Sequence, residues 1–71
     1  MEIKDIKIKT ESINLDQLLK WAAIVNSGGE AKQLIQRGEV FLNGEVEMRR
    51  AKKIFPNDVV LISNQVQLKV K

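Results

Sequence analysis

Between Ser27 and Gly44 the chain reads SGGEAKQLIQRGEVFLNG, and the punctuation of that stretch leaves few ways to fold it. Ser27 followed three residues later by Glu30 is a capping-box spacing, in which the hydroxyl accepts from a backbone N–H of the first turn and the carboxylate reaches back to the cap. A helix is predicted to begin near Gly28. Ala31, Leu34 and Ile35 recur at i, i+3 and i+4 and give it one apolar face, while Gly29, Lys32, Gln33 and Gln36 fall on a polar, cationic face. Gly38, after Arg37, stands where a left-handed residue closes a helix, a conformation glycine adopts without steric cost. Val40, Phe41 and Leu42 then read as a short strand, and Asn43-Gly44 supplies the positive φ angles of a type I′ hairpin turn.

Ser27, Gly28 and Gly29 at the mouth of this helix allow two readings. Without side chains, the two glycines leave first-turn N–H groups open to an anion, which the positive end of the helix dipole favours. Equally, they permit a tight link between two packed helices.

At 71 residues the chain is read as one small domain, residues 1–71, near the size where a single core is just sufficient. Apolar residues make up 44% and charged residues 30%, too aliphatic a balance for intrinsic disorder. Neither cysteine nor histidine is present, which removes disulfides, thiolate nucleophiles, imidazole bases and the usual zinc ligands together. The reading is therefore of a protein that is not an enzyme and has no catalytic residues, cofactor or metal. No apolar run approaches the length of a membrane span, and MEIKDIKIK at the N-terminus alternates charges where a signal peptide carries a continuous apolar block. A cytoplasmic protein with no membrane partner is expected.

The formal charge of +3 decides little, but its distribution decides more. Arg49, Arg50, Lys52 and Lys53 put four cations into five consecutive positions with no carboxylate among them. Such a basic patch is either a solvated face or the footprint of an anionic partner.

Elsewhere the pattern is that of an α+β domain. Residues 3–10 alternate Ile6, Ile8 and Thr10 with Lys7 and Lys9, the period of a half-buried edge strand whose lysines discourage edge-to-edge pairing. Asn14 with Gln17 opens a first helix, and Leu15, Leu18, Leu19, Ala22 and Val25 form its apolar stripe to about residue 25. About two residues would then separate the helices, which implies a steep crossing. Trp21 is read as a partly buried lid, with base stacking as the other possibility. Phe41 is placed either in a cross-strand contact with Val46 or as a stacking surface. Pro56-Asn57-Asp58 is a turn, Val59 to Ile62 a central strand, Ser63-Asn64 a second turn, and Val66, Leu68 and Val70 mark a last strand. Two short helices packed on a small, mostly antiparallel sheet are predicted.

This order of elements resembles the αL RNA-binding motif, the domain named after protein four of the small ribosomal subunit. The likeness covers most of the chain and rests on Leu15-Asp16 with Leu19, the Ser27-led helix with Ala31 and Leu34-Ile35, and then Gly38, Val40, Leu42 and Asn43-Gly44. An aspartate, Asp58, before the final hydrophobic strands also fits. Within the family the chain looks similar to the small stand-alone YaaA-like type, through Ser27-Gly28-Gly29, Ala31-Lys32 and Arg49-Arg50. It departs from the wider family at Gly28, where an arginine usually follows the serine, and at Asn57-Asp58, where Gly-Asp is usual.

The resemblance implies binding to structured RNA, ribosomal or transfer-RNA-like, with the ribosome itself among the candidate partners. Helical RNA is read through phosphates and 2′-hydroxyls, which suits a rigid pair of helices carrying cations. Lys32, Arg37, Arg49, Arg50, Lys52 and Lys53 are the candidate phosphate contacts. Gln33, Gln36 and Asn43 are candidates for hydroxyl or base-edge bonds, with Ser27, Gly28 and Gly29 at the helix mouth. The strip is expected to return beside the second helix. The alternative is a protein-interaction module that docks the same cations on an acidic partner.

Overall fold

The structure, a computed structural model, describes residues 1–71. In chain order it runs β1 (Glu2–Ile6), β2 (Ile13–Asn14), α1 (Leu15–Trp21), α2 (Gly28–Gln36), β3 (Val40–Leu42), β4 (Glu45–Val46), β5 (Lys53–Ile54), β6 (Val59–Ile62) and β7 (Val66–Val70). Five strands form one sheet in the order β1-β7-β6-β3-β4, and β2 pairs with β5 in a separate two-stranded ribbon. Only β1 and β7 run parallel; the other pairings are antiparallel. The α+β class with a mostly antiparallel sheet is what the sequence predicts, with β6 central and β1 on the edge.

Period-two alternation decides which face of the sheet meets the helices. Val40, Val60, Ile62, Leu68 and Val70 point inward and are buried with Leu15, Leu18, Leu19, Ala22, Val25, Ala31 and Ile35 of the helical layer. Ile54 of the ribbon completes this core. The other face carries a register row of Ile3, Gln67, Leu61, Phe41 and Val46, one residue from each strand. Phe41 thus takes its cross-strand place opposite Val46.

Both hairpin turns have the backbone their residues imply. Asn43 and Gly44 have φ of 50° and 90°, and Ser63 and Asn64 have 52° and 54°. Asn57 sits at φ 79° inside a turn closed by the Asp58 N–H on the Phe55 carbonyl at 3.0 Å.

Two boundaries differ from the sequence reading. The first strand is Glu2–Ile6 rather than 3–10: its last rungs are Lys71 N–H to Ile6 and Ile8 N–H to Lys71, beyond which β7 offers no partner. Lys7 and Lys9 are exposed all the same. The first helix ends at Trp21, not residue 25, because Ala23 turns left-handed with φ 60°. Ala23 N–H then bonds the Lys20 carbonyl at 3.0 Å and Ile24 N–H the Leu19 carbonyl at 2.9 Å, a complete Schellman closure built on alanine. The helices are therefore joined by residues 22–27, six residues rather than two, and the premise of a forced steep crossing falls away. Ala22 and Val25 are buried from this linker instead of from the helix.

Candidate nucleic-acid interface

The helix mouth has its cap in place. Ser27 Oγ accepts the Glu30 N–H at 3.2 Å, and the Ala31 N–H meets the Ser27 carbonyl at 3.1 Å. The Glu30 carboxylate accepts from the Asn26 N–H at 3.4 Å, one residue ahead of the cap position that the spacing predicts. This leaves the N–H groups of Gly28 and Gly29 without a protein partner. Neither glycine has a positive φ, and an added Cβ would meet nothing within 4 Å at Gly28 and only Ser27 Oγ, at 3.8 Å, at Gly29. Packing does not require glycine at either position, so the tight-link reading loses its basis.

Along α2 the side chains divide into two flanks. Lys32 and Gln36, one turn apart, are exposed and make no hydrogen bond or ion pair within the protein. Gln33 and Arg37 lie on the other flank and line an open groove of about 460 Å³ with Glu2 and Lys4 of β1 and Glu30. Arg37 is already engaged: its Nε is 3.5 Å from the Glu39 carboxylate and donates to the Gln33 carbonyl at 3.4 Å.

Asn43 is engaged more fully. Its Nδ2 donates to Asp58 Oδ1 at 3.1 Å, its Oδ1 accepts the Val59 N–H at 2.9 Å, and its own N–H bonds the Val59 carbonyl at 2.8 Å. Both ends of the amide hold the β3–β4 turn against the start of β6. Asn43 and Asp58, both among the residues that carry the resemblance, are therefore hydrogen-bonding partners.

The basic strip is fastened to α1, not α2. The first two N–H groups of α1 donate to it, Leu15 to the Lys52 carbonyl at 2.9 Å and Asp16 to the Arg50 carbonyl at 3.0 Å. Backbone carbonyls thus supply the cap that Asn14 does not, since its side chain makes no cap bond. No hydrogen bond or ion pair joins residues 49–53 to α2.

Within the strip, Arg49 differs from its neighbours. Glu47, just outside the run, takes its guanidinium through both oxygens at 3.0 and 3.4 Å and also accepts the Arg49 N–H at 3.1 Å. The Arg49 hydrogen bond is the main reason the Glu47 carboxyl is held below its ordinary value of 4.5. Arg50 and Lys53 are exposed, Lys52 is half-buried, and none of the three has an ion-pair partner.

Aromatic groups near these elements escape a search for charges. Trp21, read as a partly buried lid, is 60% exposed. Phe55, 49% exposed, lies beside the strip. Its position just past β5, where exposed Lys53 and Phe55 flank buried Ile54, is the signal that could have found it.

No group of three or more acidic, histidine or cysteine side chains is placed to hold a metal, and no helix is long and apolar enough to cross a membrane. Comparison with known proteins adds what geometry alone does not. Residues 6–71 match the family model described as S4 domain. A protein of Bacillus subtilis (strain 168) named "Probable ribosome maturation protein RlbA" is 46% identical over 57 residues, which span 80% of this chain and 80% of that protein. With the capped helix, the Asn43–Asp58 tie and a match over nearly its whole length, the chain belongs to the S4 domain family.

Proposed function

We propose that this protein is a non-catalytic, cytoplasmic RNA-binding module, acting as one unit over residues 1–71, and that it takes structured RNA of ribosomal or transfer-RNA-like kind. The name of its Bacillus relative makes ribosomal RNA in an assembling particle the first candidate. One observation carries the reading: within an S4 domain, the carbonyls of Arg50 and Lys52 are fixed on the start of α1 while the side chains of Arg50, Lys52 and Lys53 have no carboxylate partner. Fixed cations spaced along a rigid surface suit the regular phosphates of helical RNA, which is read by shape. Lys32, Gln33 and Gln36 on α2, together with the open N–H groups of Gly28 and Gly29, extend the surface. Arg37 and Arg49 take part less, because Glu39 and Glu47 compete for them.

The test is a salt titration of affinity for a structured RNA hairpin. Each neutralised phosphate contributes roughly 0.7 to 0.9 to the slope of log affinity on log salt, so Arg50→Ala with Lys53→Ala should flatten it by more than about one unit. Arg49→Ala should flatten it by distinctly less. Equal competition by single-stranded DNA, or an unchanged slope in a folded double variant, would turn the assignment toward docking on an acidic protein.

A further inference from the structure

Phe55 closes one side of an open concavity of about 570 Å³ whose other walls are Arg49, Ala51, Lys52 and Lys53. Three of the five lining residues are cations and one is an aromatic ring. Nothing in the core needs that ring: Ile54 next to it is fully buried, whereas Phe55 remains 49% exposed. Its backbone is nevertheless held firmly. The Phe55 N–H donates to Asp58 Oδ2 at 2.8 Å, the Phe55 carbonyl accepts the Asp58 N–H at 3.0 Å, and Pro56 follows. Through the other carboxylate oxygen, Asp58 holds Asn43. A half-exposed ring on a fixed backbone beside cations has the composition of a base-stacking platform, with a π face for the base and positive charge for the adjoining phosphates.

Resting on the RNA-binding reading above, we infer that this concavity holds one unpaired nucleotide of the bound RNA, its base on the Phe55 ring and its phosphate against Lys52 and Lys53. A paired base inside a helix has both faces covered by its neighbours, so only a bulged or looped nucleotide offers a face to the ring. The preferred RNA is then a helix interrupted by such a nucleotide, with Arg50 and α2 on the flanking duplex. Arg49, tied to Glu47, serves mainly as a wall of the concavity.

The experiment compares two hairpins of the same stem, one uninterrupted and one with a single-nucleotide bulge carrying 2-aminopurine. Wild type should favour the bulged hairpin, and its binding should change the 2-aminopurine fluorescence. Phe55→Leu keeps the apolar bulk but removes the π face; it should lower affinity for the bulged hairpin roughly tenfold while leaving the uninterrupted one nearly unchanged. Phe55→Tyr should retain the preference. If wild type binds both hairpins equally with unchanged fluorescence, or if folded Phe55→Leu keeps the full preference, the stacking site is overturned while RNA binding stands. Binding to neither hairpin overturns RNA binding and the stacking site together.

Discussion

At the start of α1 the N–H groups of Leu15 and Asp16 are bonded to carbonyls of Lys52 and Arg50, while at the start of α2 those of Gly28 and Gly29 have no protein partner. The ends contrast as well. The second helix stops on Gly38 at φ 75°, a residue suited to the left-handed region, whereas the first stops on Ala23 at φ 60°, where a Cβ is strained. Everything that bounds α2 is written within a few residues of it. The limits of α1 come from chain folded back from far away and from packing strong enough to hold an alanine in an unfavourable conformation. A helix bounded locally keeps its open end for a ligand, and a helix bounded by distant backbone becomes the anchor for the segment that bounds it.

The sharpest way to break this contrast is Gly38→Val. A Cβ there has room, with Val46 Cγ2 at 3.9 Å, so the penalty comes from the backbone conformation. A loss of about 2 kcal/mol is expected for a β-branched residue held left-handed, seen as a fall in Tm of roughly 10 °C. Next comes a paired test of the two starts. Ser27→Ala removes a cap bond and should cost about 1 kcal/mol, whereas Asn14→Ala should cost only a few tenths, measured by urea unfolding. Equal losses would mean that the carbonyls of the strip are not what caps α1.

Ala23→Gly acts in the opposite direction. Ala23 is exposed, so little packing is lost, and relief at φ 60° should raise stability by about 0.5 kcal/mol, read as a small rise in Tm. The smallest effect concerns the strip's own ion pair. Because Arg49 depresses the folded value of Glu47, the pair's contribution is present above the ordinary 4.5 and lost as pH falls through the lower folded value. An NMR titration should find the Glu47 carboxyl below 4.5 in wild type and returned toward it in Arg49→Ala.

The same division between local and distant causes decides what could be read from the sequence. The α2 cap at Ser27, the stop at Gly38, the Asn43-Gly44 turn, the central strand β6 and the alternation of β7 were legible because the residues responsible sit where they act. The buried stripe Leu15, Leu18, Leu19, Ala22 and Val25 was legible as well, although helical spacing carried it past the actual end of α1. Ala23 has no local feature that foretells a left-handed turn. The β2–β5 ribbon and the carbonyl cap on α1 depend on residues nearly forty positions apart, Asn14 pairing with Lys53. In the candidate site, the strip and the helix face were visible as charge, but not which cations were already occupied. For Arg49 that information lay two residues away, in Glu47, outside the run of basic residues that drew attention. For Asn43 it lay in Asp58, where no short-range rule would look.

The bond between Asn43 and Asp58 closes the chain into a ring around the basic strip. Within that ring the Glu47 N–H is fixed on the Val40 carbonyl at 2.9 Å, Arg50 and Lys52 are fixed on α1, and Lys53-Ile54 on β2, so few residues in succession are free to wander. A segment held this way has already surrendered most of its backbone entropy during folding. Its association with a partner should then resemble the meeting of two finished surfaces, with a heat-capacity change set by the area covered and without the larger contribution of a chain that folds as it binds.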